Sequence, residues 1–193
     1  MRALCAASDA ARARAEIVFM KRKQGTRSSA RPRRGMAAID VVVASALWTE
    51  RSSVRALLRR AIREAASVTS TAMGEIAIVL SDDAAIRALN RDWRGKDAAT
   101  NVLSFPVGEP GGTRGIPRLL GDIVIAYETT QREARAEHKP FMDHLMHLAV
   151  HGFLHLAGYD HTADDQAAAM ERLEAAILAR LGVPDPYLAR GAA

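Results

Sequence analysis

A single cysteine, Cys5, occurs in the 193 residues of this chain, and it lies close to the first. The remainder therefore has no disulfide framework and no thiolate to offer a metal, and a reducing, intracellular setting is compatible with that. Aromatic residues are scarce, at 5%, so a core must be aliphatic, built from Leu, Ile, Val, Ala and Met. No apolar run approaches the roughly 20 residues that cross a bilayer, and the first residues lack the apolar stretch of a secretory signal. These absences lead to the expectation of a soluble, cytoplasmic protein with no membrane partner.

Positive charge is also missing from most of the chain, although the formal net charge is +5. Residues 1–36 carry 10 Lys/Arg against 2 Asp/Glu, a balance of +8, whereas residues 37–193 carry 17 against 20, a balance of −3. A body without a cationic excess does not attract phosphates generally, so any RNA partner must be held by local sites. Residues 1–36 include Arg12, Arg14, Lys21, Arg22, Lys23, Arg31, Arg33 and Arg34 among Ala and Ser. Without apolar periodicity they are expected to be disordered. A basic tail holding RNA, an Arg-rich transit peptide and a start assigned too early compete as explanations. The last, with Met36 as first residue, is preferred because a strand-like run begins directly afterwards. Residues 37–187 are expected to form one domain, consistent with 49% hydrophobic content over this length, and 188–193 a disordered tail.

Within that domain, Ile39 to Val43 reads as a strand, and Thr49 to about Val68 as an amphipathic helix with Val54, Leu57, Leu58, Ala61, Ile62 and Ala65 on one face. Glu75 to Leu80 is a second strand, and Ser81-Asp82-Asp83 supplies an N-cap for a helix through Leu89. Asn101–Phe105 and Gly121–Ala126 read as further strands, separated by a Gly/Pro-rich loop over 108–117. Three helices follow: a polar one ending near His138-Lys139-Pro140, a strongly apolar one from about Met142 to Ala157, and an amphipathic one from Asp164 to Leu181. The expected fold is α+β, a single mixed sheet of about four strands covered by about five helices.

The segment His151-Gly152-Phe153-Leu154-His155-Leu156-Ala157-Gly158-Tyr159-Asp160-His161 carries the chemistry. Residues four apart on a helix lie about 40° apart in azimuth and about 6 Å apart along the axis, so His151 and His155 project side by side. Gly158 stands where a helix can end in a left-handed turn, returning the chain to present His161 as a third ligand. Three neutral imidazoles without a fourth protein ligand describe an open site that leaves a position for water or substrate. One zinc ion at the end of a buried central helix is the expectation; nickel, copper or another divalent metal also suits imidazole. Ordinary hydrogen-bonded histidines are the plain alternative, but the surrounding helix is apolar nearly all round and its polar groups need partners. His147 lies about 12 Å along the axis from His155, too far to share the ion; hydrogen bonding beside the site, core packing or capping suits it, His144 and His138. The spacing also occurs in metzincin proteases, which place a glutamate after the first histidine. Gly152 stands there in this chain, so the base for peptide hydrolysis is missing.

A second block, Asn90-Arg91-Asp92-Trp93-Arg94-Gly95-Lys96-Asp97-Ala98-Ala99-Thr100-Asn101-Val102-Leu103-Ser104-Phe105-Pro106, would by itself be a solvated loop leading into a strand. With Leu120-Gly121-Asp122-Ile123-Val124-Ile125 and the histidine segment in the same order, it resembles the bacterial YbeY family of ribosomal RNA maturation endoribonucleases. The likeness spans roughly Ile39 to Leu181, and departs from the family at Asn101, where aspartate is usual. The resemblance implies a metal-dependent cut in single-stranded RNA during 3′-end maturation of 16S ribosomal RNA and in ribosome quality control, with ribosomal RNA and the small subunit as partners. It assigns zinc to His151, His155 and His161 and a catalytic, phosphate-binding role to Arg94. A guanidinium suits that role because it can hold two phosphate oxygens at once; Lys96 can assist as a point charge. The competing expectations are a ribosome-assembly factor with a mainly structural metal and a zinc hydrolase or peptidase of other substrate.

Overall fold

Residues 39–49, 53–71, 74–107 and 119–188 are described by the computed structural model. The basic segment 1–36, the loop over 108–117 and all but the first residue of the tail lie outside them. Strand β1 (Ile39–Val43) is followed by a 3-10 turn at Ala46–Trp48, helix α1 (Val54–Thr69) and strand β2 (Glu75–Ser81). Next come α2 (Asp83–Arg94), β3 (Val102–Pro106), β4 (Leu119–Ala126), α3 (Tyr127–Ala136), α4 (Phe141–Leu156) and α5 (Asp164–Leu181). The strands form one sheet in the order β1-β2-β4-β3. β1, β2 and β4 are mutually parallel and β3 runs antiparallel to β4. The mixed four-stranded sheet with five α-helices among the described residues is the α+β architecture expected.

Central strands β2 and β4 are buried along nearly their whole length, which explains their largely apolar sequences, with Asp122 the buried charged exception in β4. On one face Ile76, Ile78, Leu80, Ile123 and Ile125 meet α1, α4 and α5 in the larger core. On the other, Val79, Val124 and Ala126 meet Ile86 and Leu89 of α2 in a smaller one. Helix α4 lies between the sheet and its helical neighbours, with Leu145, Ala149, Val150, Phe153 and Leu154 fully shielded from solvent. This is the buried central helix expected, and its rigidity comes from packing on several sides.

Element boundaries differ from expectation in two instructive places. Helix α1 begins at Val54 instead of Thr49, because the chain first makes the 3-10 turn that buries Trp48 and sends its indole N–H to the Ser81 carbonyl at 2.7 Å. Helix α2 runs on to Arg94 where the sequence suggested an end at Leu89. Its Asp82 cap, accepting from the Ala85 amide, forms as expected. The polar stretch that follows looks like loop, but Asn90 is buried and binds the Ala98 carbonyl through its amide at 2.8 Å. The helix stops at Gly95, which adopts φ +67°.

Gly121 sits where the β2–β4 register shifts beside Glu75 and Ile76, so that Leu120 joins Ile123 and Ile125 in the larger core despite its odd spacing. Its φ is +145°, and a Cβ there would lie 2.3 Å from the Phe105 carbonyl oxygen and 2.9 Å from Leu156, the last residue of α4. Both strain and overlap oppose any side chain. Gly121→Ala is therefore expected to lower unfolding free energy by about 2 kcal/mol or more, measured by urea denaturation.

Candidate metal centre

Burial of α4 leaves one half-exposed strip with polar side chains at helical spacing, and His151 and His155 occupy its last turns. Their Nε2 atoms lie 3.2 Å apart. The other ring nitrogens are already committed: His151 Nδ1 lies 2.8 Å from Glu174 Oε1, and His155 Nδ1 lies 3.1 Å from the Tyr159 carbonyl oxygen. A carboxylate and a carbonyl can only accept, so each neutral ring carries its proton on Nδ1 and turns a bare lone pair outward from Nε2. Two lone pairs cannot hydrogen-bond each other. Their separation is close to the roughly 3.3 Å edge of a tetrahedron with metal–nitrogen bonds of about 2.0–2.1 Å. Burial, then the neighbouring His151 and His161, hold the His155 pKa below its ordinary value, which keeps the ring neutral and able to bind a cation.

The third ring arrives by the chain reversal expected. Ala157 caps α4, Gly158 takes φ +95°, and the Tyr159 amide returns to the Leu154 carbonyl at 3.0 Å. His161 then stands in the exposed connection to α5, its amide held by the Asp160 side chain at 2.8 Å. Its ring centroid is 4.9 Å from that of His155 and 5.6 Å from that of His151. One nitrogen from each of the three lies within 4.8 Å of the others, and this is the only such group among the described residues. The donor set suits a divalent ion, and three imidazoles alone would leave a coordination position for water or substrate.

His147 is outside the trio, and its ring is engaged elsewhere: Nε2 lies 2.7 Å from Glu174 Oε2. His144 is buried and pairs through Nε2 with Glu133 Oε2 at 2.9 Å, an oxygen that also accepts from Asn101 Nδ2 at 2.9 Å. His138 lies in the turn after α3 with φ +52°. Asn101 thus serves the Glu133–His144 pair, and its side chain hydrogen-bonds Glu133, Thr100 and the Val102 amide.

Glu174 is the residue that sequence reasoning missed. It is 1% exposed, on α5. Burial pushes its pKa up, but hydrogen bonds from His147, His151 and Tyr187 outweigh that and bring it down to about 2. A signal was available: Met170, Ile177, Leu178 and Leu181 mark the buried stripe of α5, and Glu174 falls within it at i+4 from Met170. A carboxylate in an apolar stripe needs partners.

Arg94 ends α2 in an exposed position and reaches the Ser104 carbonyl through Nη2 at 3.4 Å. Ser104 in turn donates from Oγ to the carbonyl of Gly152 at 3.2 Å, beside His151. The arginine is thereby tied to the strand that packs on the histidine helix. Lys96 is exposed in the following turn, which is pinned by a two-pronged Arg87–Asp97 pair at 2.8 and 2.9 Å. Gly152 faces the sheet: a Cβ would lie 2.9 Å from Ile123 and 3.1 Å from Ser104 Oγ. A glutamate has no room there, so the position that serves metzincins as a base is closed in this fold.

Two predictions follow from this geometry. A Cβ on Gly158 meets nothing within 4 Å, so Gly158→Ala strains only the backbone that returns His161, costing about 1–3 kcal/mol; affinity for a divalent ion, measured by competition with a chromophoric chelator, is expected to fall tenfold or more. Glu174 ionises near 2 in the fold against an ordinary value of 4.5. Its contribution to stability is therefore complete above about pH 4.5 and lost as pH falls toward 2; urea midpoints of metal-free protein are expected to decline over that window, and less steeply in Glu174→Gln.

Residues 44–182 match the family model described as Endoribonuclease YbeY. The Endoribonuclease YbeY of Rhodopseudomonas palustris (strain BisA53) is 56% identical over 154 residues, covering 78% of this chain and 90% of that protein. The protein of the same name from Nitrobacter hamburgensis is 54% identical over 155 residues, covering 78% of this chain and 82% of its own length. Among solved structures, the solution structure of TM1509 from Thermotoga maritima superposes with a TM-score of 0.47 at 21% identity, covering 81% of this chain and all of that one. The matched region contains the complete histidine trio and Arg94, and the chain belongs to the YbeY endoribonuclease family.

Proposed function

We propose that the protein is a zinc-dependent endoribonuclease that cuts single-stranded RNA, acting in the cytoplasm on ribosomal RNA of the small subunit, in 16S 3′-end maturation and ribosome quality control. The observation that carries this reading is the pair of Nε2 lone pairs facing each other across 3.2 Å, in a chain of an endoribonuclease family. His151, His155 and His161 would hold the ion. When bound, zinc supplies Lewis-acid polarisation of a phosphate oxygen and a lowered pKa for water.

The chain's own residues do the rest. His151 and His155 are half-buried, so a phosphate must be brought down to them, which a flexible single strand does more readily than a stiff duplex. Arg94 spends one N–H on Ser104 and has others to hold two oxygens of the scissile phosphate, orienting it and stabilising charge that builds there. Lys96, two residues on, adds a mobile positive charge for a neighbouring phosphate. Such local cations are needed because residues 37–193 carry a net −3. The unlike distribution of charge favours an RNA held at a few points over one adsorbed along a basic face.

On a defined single-stranded RNA, the zinc-loaded protein is expected to cleave, chelator treatment and His151→Ala to abolish cleavage, and Arg94→Glu to lower kcat/KM by about 100-fold or more. Product ends identify the nucleophile. Attack by the 2′-hydroxyl leaves a cyclic phosphate and spares DNA, whereas attack by water also cleaves a 2′-deoxy substrate. Undiminished cleavage by Arg94→Glu contradicts the clamp, and cleavage that survives complete zinc removal contradicts the metal reading.

A further inference from the structure

The two oxygens of Glu174 are divided between two histidines of α4. Oε1 faces His151 Nδ1 at 2.8 Å and Oε2 faces His147 Nε2 at 2.7 Å. The Tyr187 hydroxyl also donates to Oε2. Tyr187 lies beyond the region matched by the family model, which ends at residue 182, and reaches Glu174 from the segment that follows α5. That segment is itself tied down: the Tyr187 amide donates to Asp185 Oδ1 at 2.9 Å, and Lys139 Nζ donates to the Pro186 carbonyl at 3.0 Å, beside the start of α4.

We propose that Glu174 is a positioning residue for the metal centre, fixing His151 in its Nδ1–H tautomer, and that Tyr187 holds that carboxylate in place, which makes the C-terminal segment a working part of the site. The proposal rests on the reading of His151 as a metal ligand. A neutral imidazole has one proton for two nitrogens, and the ring binds a metal only through the nitrogen without it. An ionised carboxylate can only accept, so it draws the proton to Nδ1 and leaves the Nε2 lone pair aimed at the ion. His155 receives the same service from the Tyr159 backbone carbonyl, which no side-chain substitution removes. His151 is the ligand of the helix whose tautomer depends on a replaceable side chain.

The same carboxylate accounts for the exclusion of His147. Its Nε2 is taken up by Oε2, so the ring helps to fix Glu174 and offers that nitrogen to no ion. Glu174 is nine-tenths or more buried, so it cannot turn to water if one partner is lost. Three donors on two oxygens over-determine its orientation.

The test uses the full chain. Glu174→Gln keeps the shape but leaves one accepting oxygen for three donors, and its amide can donate to His151 Nδ1 and drive the proton to Nε2. The zinc dissociation constant, read by chelator competition, is expected to rise about 10- to 100-fold, and Tyr187→Phe to raise it by a smaller factor. Nitrogen-detected NMR of metal-free wild type is expected to show the His151 proton on Nδ1, and of Glu174→Gln a loss of that tautomer. A merely structural Glu174 lowers thermal stability in the variants while zinc affinity stays within twofold of wild type, and that result overturns the proposal. A wild-type His151 proton on Nε2 overturns it as well, whether or not either variant folds. Wild type that takes up no zinc at all sinks the metal reading and the proposal with it, which separates the two failures.

Discussion

Two imidazole lone pairs held face to face are the constraint on which the rest of this molecule turns. The rings of His151 and His155 project from one rigid helix, and each has its other nitrogen occupied by a group that can only accept. Without a cation between them, the 3.2 Å approach of Nε2 to Nε2 is repulsive; with one, it is a coordination edge. The fold maintains that approach because α4 is packed among the sheet, α1 and α5, and cannot relax by bending. A close-packed aliphatic core of this kind transmits position, and the chemistry is mounted at the end where the packing opens.

Much of this is local and therefore legible in the sequence. A four-residue histidine spacing places two rings on one face of any helix, and a glycine beyond the helix end permits the reversal that brings in His161. The strands are equally readable, since β2 and β4 are buried on both faces and show it as largely apolar runs, Asp122 being the charged exception. The length of α2 is not, because Asn90 looks like a loop residue until its amide is seen closing the turn on Ala98. Nor is the start of α1, which depends on where Trp48 finds its pocket. Position 152 shows both sides: the missing glutamate is visible in the sequence, but the reason, a β3–β4 surface that admits no side chain, is visible only in the fold.

Glu174 and Tyr187 were hidden for a different reason. Their roles come from contacts 23 and 13 residues distant along the chain, and no periodic pattern encodes a partner at that range. What the sequence does show is an anomaly, a carboxylate within the buried stripe of α5. Anomalies of this kind are worth pursuing, because an ion is buried only where something holds it. A second pair, half-buried Glu133 with buried His144, repeats the logic one helical turn before His147, with Asn101 as the additional donor. Helix α4 thus presents histidines along one side, each with one ring nitrogen held by an acidic or carbonyl partner, and the Nε2 atoms of His151 and His155 converge.

Zinc K-edge X-ray absorption on the zinc-loaded protein tests the central claim most directly. The account predicts three imidazole nitrogens and one further light-atom ligand at about 2.0–2.1 Å, with the imidazole count falling when His161 is replaced by alanine. Fewer than three imidazoles in the wild type, or a shell closed by a fourth protein side chain, would contradict it.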